Sequence, residues 1–214
     1  MSFSEVPITS LIVVDVQPDF CPTGALEVKE GDQVIPVINQ IRAYLPNAIK
    51  VFTQDYHPRD HASFQINNPG STLFNEWVLS NGTKQMMWPP HCVQGTPGAD
   101  LHSALVRNPE DRVFQKGTKT MIDSYSGFGA PDLSDENTGL LDYLRAEKVT
   151  RVVVVGLATD YCVKATAMDA KKYGFDVYLV LSACRSVSPD VTSSIAEMTA
   201  VGIHIVQNFI DLGT

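Results

Sequence analysis

The stretch RVVVVGLATDYCVKATAMDA, Arg151 to Ala170, opens with four consecutive valines, Val152 to Val155. A β-branched apolar run with no alternation is the pattern of a strand buried on both faces, as in a parallel sheet. Gly156 ends the run, Asp160 is suited to cap a helix, and Val163, Ala165, Ala167 and Met168 follow at helical spacing. Cys162 therefore falls in the first turn of a helix that follows a buried strand, which is the layout of a nucleophile elbow built with cysteine. A free thiol has a pKa of about 8.5. A helix N-terminus stabilises an anion by roughly 0.3–1 kcal/mol, about 2 when partly buried, and one pKa unit is about 1.4 kcal/mol. The helix alone reaches neutrality only at the top of that range, so a cation or a general base is needed beside the sulfur. The unpaired N–H groups of the turn can also receive an oxyanion. The alternative is a buried cysteine that packs as a small hydrophobe, and both readings stay open until the rest of the chain is considered.

Upstream, Leu11–Val16 (LIVVDV) is a second buried-strand run and carries one acid, Asp15, near its end. Residues 31–45 place Val34, Ile35, Ile38, Ile41 and Leu45 at helical spacing, with Pro36 tolerable in the first turns. Residues 48–53 read as a strand, 99–106 as a helix, 112–115 as a short strand closing on Lys116, and 136–147 as a helix. Downstream, 176–181 and 203–206 read as strands around a helix at 188–200 capped by Ser188 or Asp190. Residues 55–96 and 117–134 show little periodicity, and irregular stretches of that length are usually functional. Alternating strands and helices predict an α/β fold with an open parallel sheet covered on both faces. Ligands of such sheets sit beyond the carboxyl ends of the strands, at a switch in strand order. That rule singles out Asp15, Asp55, Lys116 and Cys162, each closing or following an apolar run.

The totals describe one globular domain of 214 residues, 44% hydrophobic and 19% charged, expected to span 1–214. A net charge of −8 argues against nucleic acid or an anionic membrane as partner. No signal peptide and no run of transmembrane length is visible, and Cys21, Cys92, Cys162 and Cys184 lack CxxC spacing, so a cytoplasmic protein is expected. A homo-oligomer is left open.

Three constellations carry chemistry. Asp15 reads either as a turn former or as a general base with its pKa raised by burial; Lys116 could pair with it and with a thiolate. Asp55 and His57 are two apart on an extended chain and can share an ion, with His61 following in PRDH and His91 coming from WPPHC; one carboxylate and two or three imidazoles suit zinc, iron(II) or manganese. The opposing reading is a surface turn at Pro58 and a histidine packed under its loop. Phe20, Trp88 and Tyr125 either pack their loops or line a slot for a flat ring.

Taken together, VVDVQPDF, DYHPRDH, WPPHCVQGT, the KGT that follows a strand, and GLATDYCVKATA resemble the isochorismatase-like cysteine hydrolases, and among them the nicotinamidase branch. The resemblance runs from Leu11 to about Ala167 with the motifs in order. It implies a six-stranded sheet in the order 3-2-1-4-5-6, with Asp15 beside Cys162. It implies Asp15, Lys116 and Cys162 as catalytic acid, lysine and nucleophile, and Asp55, His57 and His91 as ligands of one divalent ion, most simply zinc. Ala158 and Cys162 match the oxyanion hole, across a Leu157–Ala158 bond that is typically cis, while Phe20, Trp88 and Tyr125 match ring-contacting aromatics. His61 is placed behind the metal ligands, its spacing being shorter than in members where a further histidine binds. The implied reaction converts nicotinamide to nicotinate and ammonia through a thioester, a step of pyridine-nucleotide salvage. Competing expectations are another amidase of the superfamily, isochorismatase itself (which lacks the metal triad), a silent binding module, and a thiol redox protein.

Overall fold

The computed structural model describes residues 7–130 and 137–213. In chain order the elements are β1 (Thr9–Val14), α1 (Val34–Tyr44), β2 (Ile49–Asp55), β3 (Glu76–Val78), β4 (Lys84–Met86), β5 (Arg112–Lys116), α2 (Leu140–Ala146), β6 (Arg151–Leu157), α3 (Lys164–Lys172), β7 (Asp176–Arg185), α4 (Thr192–Ala200) and β8 (His204–Val206). Six strands form one parallel sheet in the order β5-β2-β1-β6-β7-β8, while β3 and β4 make a separate antiparallel hairpin. Counting only the strands of the large sheet, this is the expected order 3-2-1-4-5-6.

The unalternating apolar runs behave as two-faced strands. Leu11 and Val13 of β1, with Val153 and Val155 of β6, pack under α1 through Val34, Ile35, Ile38 and Ile41. Ile12 and Val14, with Val152 and Val154, face the opposite layer, where Leu140 and Leu144 of α2, Ala167 and Ala170 of α3, and Met198 of α4 cover them. Each fully buried valine or leucine contributes about 1.5–3 kcal/mol relative to exposure, so two large cores fix the register of the central strands. Strand order reverses between β1 and β6, which pair from Thr9↔Arg151 to Val14↔Gly156. At that last pair Gly156 sits at φ 118°, and a side chain there would strike the Val14 carbonyl. Only glycine fits so close a backbone approach.

Several expectations are corrected. The helix predicted at 99–106 is absent: a 3-10 turn at Pro97–Ala99 is followed by turns. Its backbone bonds go elsewhere, His102 N–H to the Val16 carbonyl and Val106 N–H to the Asn39 side chain. The stretch 55–96 is less irregular than its composition predicts, since it holds the β3–β4 hairpin and a 3-10 turn at Gln65–Asn67. The helix expected from Glu136 begins at Leu140 among the described residues; position 136 and most of the end of the 117–134 stretch lie outside them. The strand at Asp176 runs on to Arg185. Finally, α4 starts at Thr192 with Val191 at its N-cap, so neither Ser188 nor Asp190 holds the cap position; the Asp190 carboxylate accepts the Thr192 N–H in the turn that leads in.

Candidate active site

Four strand ends of the large sheet deliver the central polar groups. β1 ends as Asp15 adopts φ 47°, a left-handed turn that aspartate tolerates. Asp55 and Lys116 are register partners at the ends of β2 and β5. Cys162 lies in a π-helical turn, Thr159–Val163, that connects β6 to α3. The turn is wide because Val163 N–H reaches back to the Ala158 carbonyl. The bond Leu157–Ala158 is cis. Asp160 does not cap this helix as predicted: both its carboxylate oxygens accept N–H bonds from Val187 and Ser188 instead.

Lys116 is fully buried and central. Its Nζ lies 3.0 Å from Asp15 Oδ2, bonds Asp55 Oδ1, donates to the Ser124 carbonyl at 2.9 Å, and lies 3.3 Å from Cys162 Sγ. Burial works against the ammonium, but Asp15 and Asp55 together outweigh it and hold Lys116 well above its ordinary value. Burial raises the Asp15 carboxyl against the pull of Lys116. Burial also pushes the Cys162 thiol well above its usual range, Lys116 opposing and the two carboxylates adding to the rise. At neutral pH the sulfur is therefore protonated, with a carboxylate of raised proton affinity within 4.8 Å. Thr53 accounts for the orientation of that carboxylate. Its hydroxyl accepts the Asp15 N–H at 3.2 Å and donates to Oδ1 at 2.6 Å, which leaves Oδ2 for Lys116. Neither Thr53 nor Gln17 is apparent as a functional residue from the sequence. Gln17, also fully buried, bonds both the N–H and the carbonyl of Asp55. The available signal is the presence of uncharged polar residues in or just after strand runs that are otherwise apolar.

The second group shares Asp55. Its other oxygen, Oδ2, lies 3.5 Å from His57 Nε2 and 4.0 Å from His91 Nε2. His57 Nδ1 is 2.8 Å from the Gly117 carbonyl and His91 Nδ1 is 2.8 Å from the Pro89 carbonyl. Carbonyls only accept, so both Nδ1 atoms carry hydrogen and both Nε2 atoms face Asp55 Oδ2. Outer partners that fix the tautomer in this way are the usual support of metal-binding histidines. Burial, then the neighbouring His57, hold the His91 imidazole down at about 4, in the neutral form a ligand needs. For His57 burial opposes the charged form and the Asp55 carboxylate outweighs it, an attraction that a cation at the same spot would share. The O,N,N donor set thus fits one divalent ion. Gly117 is required here, since it sits at φ 60° and a side chain would collide with the His57 ring. His61 packs against His57 with ring centroids 4.2 Å apart and the rings tilted by 33°, and its nitrogens face Ser63 Oγ and the Ile122 carbonyl. It is not part of the Asp55, His57 and His91 set, and with His57 and Asp123 it makes a second cluster of possible ligands.

Between the two groups opens a narrow pocket with a cavity volume of about 40 Å³. Phe20, Trp88 and Tyr125 line it, together with Asp55, His91, Ala158 and Cys162. Trp88 Nε1–H donates to the Tyr125 hydroxyl at 3.2 Å, and Tyr161, absent from the predicted set, packs edge-on to Trp88 at 5.2 Å. Leu26, Val28 and Val187 complete an apolar lining that the sequence does not mark.

The Isochorismatase domain description matches residues 9–208. The chain belongs to the isochorismatase family. Within the family it is 42% identical over 199 residues to the nicotinamidase of Acinetobacter baylyi, covering 91% of this chain and 90% of that protein. Three solved structures resemble it over most of their length. An Acinetobacter baumanii nicotinamidase/pyrazinamidase superposes with a TM-score of 0.89 at 37% identity, covering 98% of this chain and all of that one. A Pyrococcus horikoshii pyrazinamidase in complex with zinc gives 0.78 at 38%, covering 94% and 99%. PnC1 from L. infantum in complex with nicotinate gives 0.80 at 35%, covering 94% and 92%. The sheet order described above is that of the isochorismatase fold. All four cysteines are free thiols, and no helix among the described residues is long and apolar enough to cross a membrane.

Proposed function

We propose that this chain is a cysteine amidohydrolase that converts nicotinamide to nicotinate and ammonia, acting as one domain over 1–214 in cytoplasmic pyridine-nucleotide salvage. The observation that carries the reading is that Cys162, which lines an aromatic pocket shared with Asp55 and His91, has its Sγ beside Lys116 Nζ, which in turn pairs with Asp15. The nicotinamidase and pyrazinamidase relatives support the amide as substrate class, and the nicotinate bound in the L. infantum relative supports a pyridine ring in the pocket.

In the reaction Asp15 takes the proton of the Cys162 thiol. The sulfur attacks the carboxamide carbon, and its lone pair becomes the new S–C bond. The N–H groups of Ala158 and Cys162 receive the oxyanion. Asp15 returns its proton to the amide nitrogen as the C–N bond breaks, and ammonia leaves. Water, deprotonated by Asp15, then attacks the thioester; the acid departs and the thiol is restored. Lys116 holds the carboxylate and stabilises negative charge on sulfur, so acid, cation and thiol replace a cysteine–histidine pair. Phe20, Trp88 and Tyr125 hold the ring in plane. A divalent ion held by Asp55, His57 and His91 would act as a Lewis acid toward the pyridine nitrogen and so orient the ring. Zinc is the favoured ion, as in the Pyrococcus relative, with iron(II) or manganese as alternatives.

The test is direct. Purified protein incubated with nicotinamide should release ammonia and nicotinate in equal amounts. Release no faster than a boiled control rules the reading out.

A further inference from the structure

We propose that Val187, held by Asp160, sets the limit on ring substitution in the substrate, which makes Asp160 a positioning residue for specificity. The inference rests on the nicotinamide-hydrolase reading above. Asp160 lies two residues before the nucleophile, yet its carboxylate serves a different segment: Oδ1 accepts the Val187 N–H at 3.0 Å and Oδ2 accepts the Ser188 N–H at 2.8 Å. Hydrogen bonds to an ionised carboxylate are roughly twice as strong as neutral ones, so two of them make a firm tether. The segment is secured on its other side as well. Arg185, at the end of β7, faces Glu30 at 3.7 Å and Gln33 at 3.3 Å. The Ser186 hydroxyl closes the loop on the Ser188 carbonyl at 2.6 Å. Residues 185–188 thus form a strap fixed both to the nucleophile turn and to the stretch that supplies Leu26 and Val28.

Val187 is the part of this strap that lines the pocket, and it remains 42% exposed, which places it at the mouth. Leu26 and Val28 line the same pocket, and none of the three side chains carries a polar group. Such a wall has no partner for a charged or hydroxylated substituent and meets an alkyl group by fit alone. Discrimination by fit is worth about 10- to 200-fold per methylene. The class of amide set by this wall is therefore unsubstituted or small-alkyl pyridine carboxamides.

The experiment compares kcat/KM for nicotinamide with that for 5-methyl- and 6-methylnicotinamide. Val187→Ala should raise the methylated-to-parent ratio for at least one isomer by about tenfold, and Val187→Phe should lower it. Asp160→Ala should also raise the ratio, because the strap is released. Asp160→Asn keeps one acceptor oxygen, so it should fall between and remains informative if the alanine variant does not fold. Ratios unmoved within about twofold in Val187→Ala overturn the proposal. Equal loss of all three amides in Asp160→Ala assigns Asp160 to support of the nucleophile turn and overturns its part. A parent enzyme inactive on nicotinamide overturns the functional reading and this inference with it; an active parent with unmoved ratios overturns this inference alone.

Discussion

The lysine group and the histidine group share one residue, Asp55, and are built in different ways. Asp15, Asp55, Lys116 and Cys162 stand at or just past the ends of adjacent strands, so their separations follow from sheet register, as in Asp55↔Lys116 and Val14↔Gly156. The histidines and the ring-contacting aromatics hang on loops tied to one another. His57 N–H bonds the Cys92 carbonyl, Gln94 N–H bonds the His57 carbonyl, and Trp88 N–H bonds the Ser63 carbonyl. The difference teaches a division of labour. On the proposed reading, groups that move protons and make bonds sit on the sheet, and groups that select and orient the ring sit on loops, where sequence can vary without disturbing the two cores. If this division holds, damage to the sheet-borne group should stop chemistry, and damage to the loop-borne group should mostly weaken ring binding.

The largest effect is expected for Cys162→Ala. Turnover should fall by at least about 10⁴-fold, with thermal unfolding and metal content unchanged, because only a sulfur is lost. Residual ammonia release well above background would show that another nucleophile operates. Cys21→Ala, Cys92→Ala and Cys184→Ala should each keep substantial activity. Asp15→Asn comes next, with a loss of about 10³-fold, since an amide cannot accept the thiol proton. Turnover within about tenfold of the parent would require another base.

Much of the sheet-borne half is legible in the sequence. Four valines in a row, or LIVVD, admit few structures other than a doubly covered strand, and the polar residue that closes such a run has to stand at the sheet's edge. The histidine pair became legible only through resemblance, because D-x-H spacing is common and its carbonyl partners, Gly117 and Pro89, lie 60 and 2 residues away. Thr53 was invisible because its role depends on facing the turn at Asp15 across 38 residues. Residues 99–106 depart from expectation for a related reason: their apolar spacing is helical, but the N–H groups of His102 and Val106 are claimed by Val16 and Asn39. Asp160 has the position of a cap, and yet the wide turn sends its carboxylate to a neighbouring strap.

A pH experiment separates the thiol's own state from catalysis. Burial, with the two carboxylates, places the Cys162 thiol well above the ordinary value, so thiolate forms only as pH rises past that of a free cysteine. In substrate-free enzyme, the alkylation rate of Cys162, read by mass spectrometry of the labelled peptide, should have its midpoint above about 8.5. A midpoint near neutrality would mean a resting thiolate and would remove the first proton transfer to Asp15 from the account. A smaller effect is expected for Thr53→Val, which keeps the shape but loses the hydroxyl bonded to Asp15 Oδ1. It should lower kcat by about tenfold and leave KM nearly unchanged. A change in KM alone would place Thr53 with the ring-binding side.

The division itself is tested by one cycle: nicotinamide and benzamide, each measured on the parent enzyme and on His91→Ala, with metal content and Cys162 alkylation recorded for both proteins. Benzamide lacks the ring nitrogen. The account predicts that His91→Ala lowers metal occupancy and raises KM for nicotinamide, that benzamide, already poor on the parent, loses little more, and that alkylation of Cys162 hardly changes. The coupling between the histidine and the ring nitrogen is then the difference between the two losses. Equal losses for both amides, or full activity on nicotinamide in metal-free protein, would contradict the claim that the loop-borne histidines hold the ring while the sheet-borne group performs the chemistry.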